Sequence, residues 1–525
     1  MDFAAREIEG LPSLAWLVAL PNGSGKPLLL HGRMVERFGN GFFEGAWDGP
    51  FADTGFSSAA NVFGSGALFS AAGTIFVPAS HTLEPLYIAS TDRLQAVSNS
   101  LAFLLHYCGL RFDPKHAGYG RRFSAIGTGL DGTPQKIQLD GGTVTLVYHH
   151  NVVIRPHGNL ELAPKPLPPS FPCFDDYVSY MRGVTARVFQ NADDPKRKCR
   201  YRPIATLTSG YDSGAAAVIA KSCGCNESVG LATSNKGHPD SGKAAANLLG
   251  LKHSEHTGLT HATGSYLAEA EFLAPGMQGE DLFFDALVEK LPGRIVTTGI
   301  YGGVIWEKGH TPSTSLRTIG LSGCSLGEFR LRNNFLHLPI PYIGGQRWPD
   351  VHRISNGLEM AAYCLGGGYD RPVPRRILEE AGVPRAIVGQ AKRAASLLLF
   401  QGRDRMSPAA HASIYAYCKR EGLYLQYLLA FYPKTLWWTA GRTLYGSLRR
   451  LGRLLKEGRL RYALARMRDR ICALLFNIEA PIFGAGHPRF AILLTWAISE
   501  IDNRYAVAGR HAPQSEFVPA RAANE

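Results

Sequence analysis

The residues best suited to chemistry are Ser209-Gly210-Tyr211-Asp212-Ser213. They join two hydroxyls, a glycine and a carboxylate in one short loop. The apolar run Ile204-Ala205-Thr206-Leu207 precedes them, and the alanine-rich run Gly214–Ala220 follows. That order predicts a buried strand, a tight turn and the first turns of a helix. A backbone folded this way presents several N–H groups to one point, where the helix dipole favours an anion. Gly210 lets the chain turn without a Cβ clash. Ser209 and Ser213 can add hydroxyl donors to a phosphate. Asp212 repels a phosphate unless a cation lies between them, and Mg²⁺ beside a polyphosphate is such a cation.

The rest of the chain must hold that loop. A chain of 525 residues exceeds one core, so two or three domains are expected. Apolar content of 45% and charged content of 19% are globular values. A formal net charge of +13 suits anionic ligands such as nucleotides without indicating nucleic acid. Cysteines at 108, 173, 199, 223, 225, 324, 364, 418 and 472 form no C-x-x-C pair, which predicts free thiols in a reducing cytoplasm. The first residues are charged and carry no signal-like apolar region. No apolar run is long enough to predict a membrane span.

From residue 12 to about 165 the pattern is of short strands between Gly, Pro and Asn turns. Leu14–Leu20, Pro27–Leu30, Leu68–Ala71, Thr74–Pro78, Pro85–Ala89, Thr143–Tyr148 and Val152–Arg155 are examples. They predict an antiparallel sandwich. Pro21–Lys26 resembles a phosphate loop superficially but lacks its flanking residues and reads as a turn. Ala96–Leu105 predicts a helix capped near Ser98 or Asn99. The proline-dense run Ala163–Pro172 predicts a semi-rigid linker, and Asp175–Ala192 a helix beyond it.

Past the loop helix, Val229–Thr233 predicts the second parallel strand and Arg294–Thr298 another. Asp240 reads as the cap of a helix whose apolar face includes Ala244, Leu248 and Leu251. His253 and His256 have no third ligand nearby and read as surface histidines. Residues 404–510 read as helices, including Ser413–Lys419, Tyr424–Phe431, Thr443–Lys456 and Tyr462–Phe476. Between Arg442 and Arg470 ten basic residues face two acids, which predicts a solvated face or the site of an acidic partner. The tail from Ala512 is expected to be disordered.

Ser209-Gly210-Tyr211-Asp212-Ser213 resembles the Ser-Gly-Gly-x-Asp-Ser loop of the N-type ATP pyrophosphatases, one residue shorter. Within these it is most similar to the asparagine-synthetase-like branch, with the β-lactam synthetases and lasso-peptide cyclases. The resemblance spans roughly residues 12–400 and implies an α/β chain. Residues 1–163 would be an antiparallel β-sandwich of the class II glutaminase kind, and 164–173 a linker. Residues 174–400 would be the parallel-sheet PP-loop ATP pyrophosphatase domain, and 401–525 a helical basic extension. Gly41–Phe51 and Ala96–Leu105 are the passages similar to the glutaminase. That enzyme needs a cysteine after the initiator Met, where this chain has Asp2, so glutaminase chemistry is expected to be absent.

The resemblance implies ATP bound by Leu207, Ser209, Gly210, Tyr211, Asp212, Ser213, Leu231 and Gly299, with Asp212 on Mg²⁺. Tyr369–Ala394 is similar to the family's closing basic segment, which puts Arg371 and Arg375 beside phosphate and Lys392 on the α-phosphate. Ser325–Pro341 is similar to the segment whose acid orients or deprotonates the amine, here Glu328. The family's second Mg²⁺ carboxylate falls at Gly303, with no acid until Glu307. The implied activity is an ATP-dependent ligase. It would adenylate a small-molecule or peptide carboxylate, and an amine or ammonia would displace AMP. Loss of the second acid and of the glutaminase nucleophile leaves a nucleotide-binding scaffold as the first alternative. A PP-loop tRNA-modifying enzyme is the second, opposed by the absence of paired cysteines.

Overall fold

The computed structural model describes residues 3–22, 25–116, 118–155, 160–256, 267–318, 320–367, 369–393, 395–399, 406–431 and 489–509. Asp2, Gly23, Ser24, Cys472, the basic helices expected over Thr443–Lys456 and Tyr462–Phe476, and the tail from Ala512 lie outside them.

The chain is α/β, with two largely antiparallel sheets before one all-parallel sheet. The first has seven strands, in the order Ala4–Glu7, Leu28–His31, Trp16–Pro21, Leu94–Ser98, Leu86–Ser90, Gly142–Val147 and Gln135–Leu139. Its pairings are antiparallel except between the first two. The second has six, in the order Leu160–Ala163, Asn151–Ile154, Gly73–Val77, Val62–Ser70, Gly41–Trp47 and Glu36–Phe38. Alternation makes one face of each strand apolar, and those faces meet. Trp16, Val18 and Val97 of the first sheet cluster with Phe42, Phe69, Phe76 and Val152 of the second. Trp16 meets Phe42 edge-on, with ring centroids 4.9 Å apart. The expected strands are all present with ends shifted by one or two residues, except that the strand expected at Leu68–Ala71 begins well earlier, at Val62.

The helix Leu101–Cys108 is capped by Ser100, whose hydroxyl accepts from the Phe103 N–H at 3.0 Å. The cap expected at Ser98 or Asn99 therefore moves onward. Ser98 still ends a strand, and Asn99 turns inward to bond Trp16, Leu14 and Glu44.

The proline-dense run from Pro164 forms no helix or strand and leads to the helix Phe174–Ala192. That helix buries Phe174, Tyr177, Val178, Met181, Val184, Thr185 and Val188, the three-and-four spacing of one face. It joins the sandwich to the parallel sheet. Tyr180 accepts from Asn61 on one side and Tyr177 from Trp306 on the other.

The parallel sheet has five strands, in the order Lys252–His256, Glu227–Leu231, Arg202–Thr206, Arg294–Thr298 and Leu336–Pro339. In chain order that is third, second, first, fourth and fifth. The direction of winding reverses beside Arg202–Thr206. In open α/β sheets ligands bind outside the carboxyl ends of the strands at such a reversal.

The described C-terminal part is no appendage. Ala410, Ile414 and Cys418 of the helix Pro408–Arg420 join the main core, as do Ile492, Leu493, Trp496 and Ala497 of Arg489–Ile501. The helix Tyr424–Phe431 matches its expected bounds.

Candidate functional site

The loop lies at the reversal, between the strand Arg202–Thr206 and the helix Tyr211–Ser222. The small residues Ala215, Ala216 and Ala217 are fully buried and let this helix sit close to its neighbours. The Gly214 N–H donates to the Gly210 carbonyl. By helix geometry the N–H groups of residues 211–213 then have no acceptor within the helix. They stand where an anion would be held.

The loop is braced by its own hydroxyls. Ser213 Oγ lies 3.0 Å from Thr208 Oγ1, which accepts from the Gly210 N–H at 3.1 Å. Ser209 Oγ donates to Asp240 Oδ1 at 2.6 Å, and the Ser209 N–H donates to the Asp240 carbonyl. Asp240 therefore does not cap a helix. The helix runs Lys243–Leu248 behind Gly242, and buries Ala245 and Ala246 while Leu248 is half exposed. The buried face carries Ala245, Ala246 and Leu249 in place of the expected Ala244 and Leu248, which are exposed. Burial raises the pKa of Asp240, and the Ser209 hydroxyl opposes the rise.

A second loop closes on the first. A Cβ on Gly299 would lie 2.3 Å from the Asp212 carbonyl carbon and 2.5 Å from the Ser213 nitrogen. Only glycine allows the turn after Arg294–Thr298 to touch the start of the loop helix. Gly299 thus serves the site by permitting contact between the two turns.

The basic segment lies over both. Arg371 is 2% exposed and donates Nη1 to Asp212 Oδ2 and Nε to Glu307 Oε2, the latter at 3.2 Å. It also covers the Tyr369 ring at 4.9 Å. Arg375 is 1% exposed and donates to Tyr211 Oη at 3.1 Å from Nε, to Asp370 at 2.8 Å and to the Tyr363 carbonyl. The Gly389 N–H donates to the Ser209 carbonyl at 2.8 Å, and its backbone presses on the Tyr211 ring. Tyr211, expected among the ligand contacts, is itself fully buried under this segment.

The structure thus brings Ser209, Gly210, Tyr211, Asp212, Ser213, Gly299, Arg371 and Arg375 together. Burial raises the pKa of Asp212, opposed by Arg371 and, more weakly, by the charge of the exposed Lys392. Leu207 and Leu231 are buried, and the Leu207 N–H is spent on the Val229 carbonyl. Two expectations change. Arg371 and Arg375 are held by carboxylates, a phenol and a carbonyl, so neither guanidinium is free for phosphate. Glu328 is not turned to the loop. Its carboxylate, 2% exposed, accepts from Ser100 at 2.6 Å and Tyr505 at 2.5 Å. Burial raises its pKa, opposed by those two hydroxyls.

Glu307 enters the site although it misses the expected position at Gly303. One helical turn, Gly302–Ile305, carries the chain back so that residue 307 reaches Arg371. Asp240 was legible only as a cap, because nothing local ties it to Ser209. His253 is also not on the surface. Its Nδ1 pairs with Ser228 Oγ at 2.9 Å, and its Nε2 lies 3.2 Å from Glu255.

Mg²⁺ fits poorly here. Among the described residues no three His, Cys, Asp or Glu side chains gather as a metal would need. A Cβ on Gly303 would lie 3.2 Å from Arg371 Nη2. The guanidinium therefore fills the space between Asp212 and the position of the missing acid.

No protein-family model matches the chain, and no curated protein matches it. Among the described residues no helix is long and apolar enough to cross a membrane.

Proposed function

We propose that the chain binds ATP at the carboxyl edge of the parallel sheet, as a catalytically impaired relative of the asparagine-synthetase-like ligases. The observation that carries this is the place of the loop 207–213. It follows the strand where the winding reverses, packs against the turn at Gly299, and leaves the first N–H groups of its helix for an anion. The N-terminal sandwich would be the scaffold left by a glutaminase-like domain. Impairment is favoured by the Asp212–Arg371–Glu307 bridge, the missing acid at Gly303 and the enclosure of Glu328.

The second reading is the ligase itself, releasing pyrophosphate from ATP as it adenylates a carboxylate that an amine then attacks. The exposed ammonium of Lys392 near Asp212 favours it, because a cation there could meet charge on the α-phosphate. Glu328 has no part in this reading.

Two measurements decide between them. ATP binding is followed by calorimetry, and pyrophosphate and AMP release with a panel of carboxylates and amines. Binding without release supports the first reading. Release that depends on substrate, and is lost in Ser209→Ala and Lys392→Ala, establishes the ligase. Absence of binding and release sinks both.

A further inference from the structure

Asp212 is the difficulty in any anion site at this loop. Its carboxylate lies in the first turn of the helix that would hold the anion, and its side chain is a quarter exposed. Oδ1 is buried with no hydrogen-bond partner, while Oδ2 is engaged by Arg371. An unbalanced carboxylate here would repel a phosphate, so some cation must offset it. In a metal-dependent site that cation is divalent and bridges two acids.

Here the bridge is a guanidinium. Arg371 spans Asp212 and Glu307, is buried, and closes on the space beside Gly303. Its position is over-determined. The side chain covers Tyr369, and the segment that bears it is fixed to the loop through Arg375–Tyr211 and Gly389–Ser209. A divalent ion could reach Asp212 Oδ2 only by displacing a buried, doubly paired arginine. Breaking such a pair leaves a buried charge without its partner, which is strongly unfavourable.

We propose that Arg371 takes the place of the divalent cation, so that this site receives a polyphosphate free of Mg²⁺ and not its magnesium complex. The polyphosphate part rests on the nucleotide reading above; the replacement of the metal does not. Arg371 acts as a positioning residue. It neutralises Asp212 and leaves the helix N–H groups and Lys392 to meet the ligand.

The first test uses Mn²⁺ alone, followed by electron paramagnetic resonance with the whole chain. The wild type should show no site that Asp212→Asn removes. Such a site in the wild type would overturn the proposal. The double variant Arg371→Met, Gly303→Asp restores the missing acid and frees the space. It should gain an Mn²⁺ site that Asp212→Asn abolishes, and a folded double variant without one also counts against the proposal. If the variant does not fold, the wild-type comparison still decides. The second test measures ATP affinity in Mg²⁺ and in EDTA. Binding should be weaker in Mg²⁺, which ties up ATP as the complex the site excludes, and an affinity that is equal in the two conditions, or about tenfold (1.4 kcal/mol) weaker in EDTA, contradicts the proposal. Binding in neither condition sinks the nucleotide reading and the polyphosphate part, while the Mn²⁺ result still judges the metal replacement.

Discussion

Tyr505 donates a hydrogen bond to the Glu328 carboxylate across 2.5 Å, and Ser100 donates to its other oxygen at 2.6 Å. The pair joins the C-terminal segment to the helix Gly327–Asn333, and Ser100 adds the cap of Leu101–Cys108. Tyr505 also stacks on Phe103, with centroids 5.0 Å apart. This is a structural clamp. Tyr505→Phe should destabilise the chain by about 1–3 kcal/mol, because it leaves a buried oxygen short of a donor. ATP binding should be unchanged. Urea unfolding and calorimetry read the two effects separately, and a loss of affinity without loss of stability would return Glu328 to the site.

The same carboxylate predicts a pH dependence. Burial holds the folded pKa of Glu328 above its ordinary value, so the folded state keeps its proton longer than the unfolded state. The stabilisation is complete below the unfolded pKa of about 4.3 and is lost as pH rises through the folded value. Glu328→Gln should remove that fall from the unfolding free energy measured across mildly acidic pH. An unchanged slope would mean that the carboxyl is already ionised when buried.

Much of the architecture was legible because it depends on local pattern. Ile204 and Ala205 form a buried strand, Gly210 permits a turn, and the alanine run makes a tight helix, all within a few residues. The partners across the site were not. Ser209 and Asp240 are separated by a helix, a strand and two turns, and Glu307 reaches Arg371 only after the chain has coiled once. Glu328 was misplaced for a related reason. A Glu near an Arg reads alike in a cleft and beneath a C-terminal strap, and Tyr505 comes from the far end of the chain.

Gly299 and Gly309 should respond differently to alanine. At Gly299 the added Cβ meets the Asp212 and Ser213 backbone, whereas at Gly309 it meets nothing within 4 Å. Backbone cannot yield as a side-chain tip does. Gly299→Ala should cost about 1–3 kcal/mol and weaken ATP binding, and Gly309→Ala should do neither. Equal stabilities in thermal unfolding would show that the two turns do not depend on each other.

Ser209 and Asp240 should act as one unit. The hydroxyl holds the loop and satisfies a carboxylate that is only 4% exposed. Ser209→Ala strands that carboxylate and should cost about 1–3 kcal/mol. Asp240→Ala should cost less once Ser209 is already alanine. A double-mutant cycle is expected to give a coupling of about 0.5–3 kcal/mol, and additivity would remove Asp240 from the loop's support.

Lys165 provides a pH test away from the site. Its Nζ is buried in the proline-dense run and donates to the neutral Asn151 Oδ1 at 2.6 Å. His149 and His150 lie close enough for the ammonium charge to lower their pKa values, after burial itself. Burial pushes Lys165 down to about 7. In the unfolded chain a lysine titrates near about 10.4. Below pH 7 both states carry the proton, and the cost of burying the charge stands in full. Between the two values the unfolded chain holds a proton that the folded chain has released, so stability rises with pH by up to about 1.4 kcal/mol per unit. Lys165→Met removes the charge and keeps most of the stem. It should be more stable than the wild type at pH 6, and it should lose this part of the rise between pH 7 and 9. Urea titrations across that range measure both. If the variant were less stable at pH 6 and kept the slope, the ammonium would be paid for by an interaction stronger than the Asn151 carbonyl.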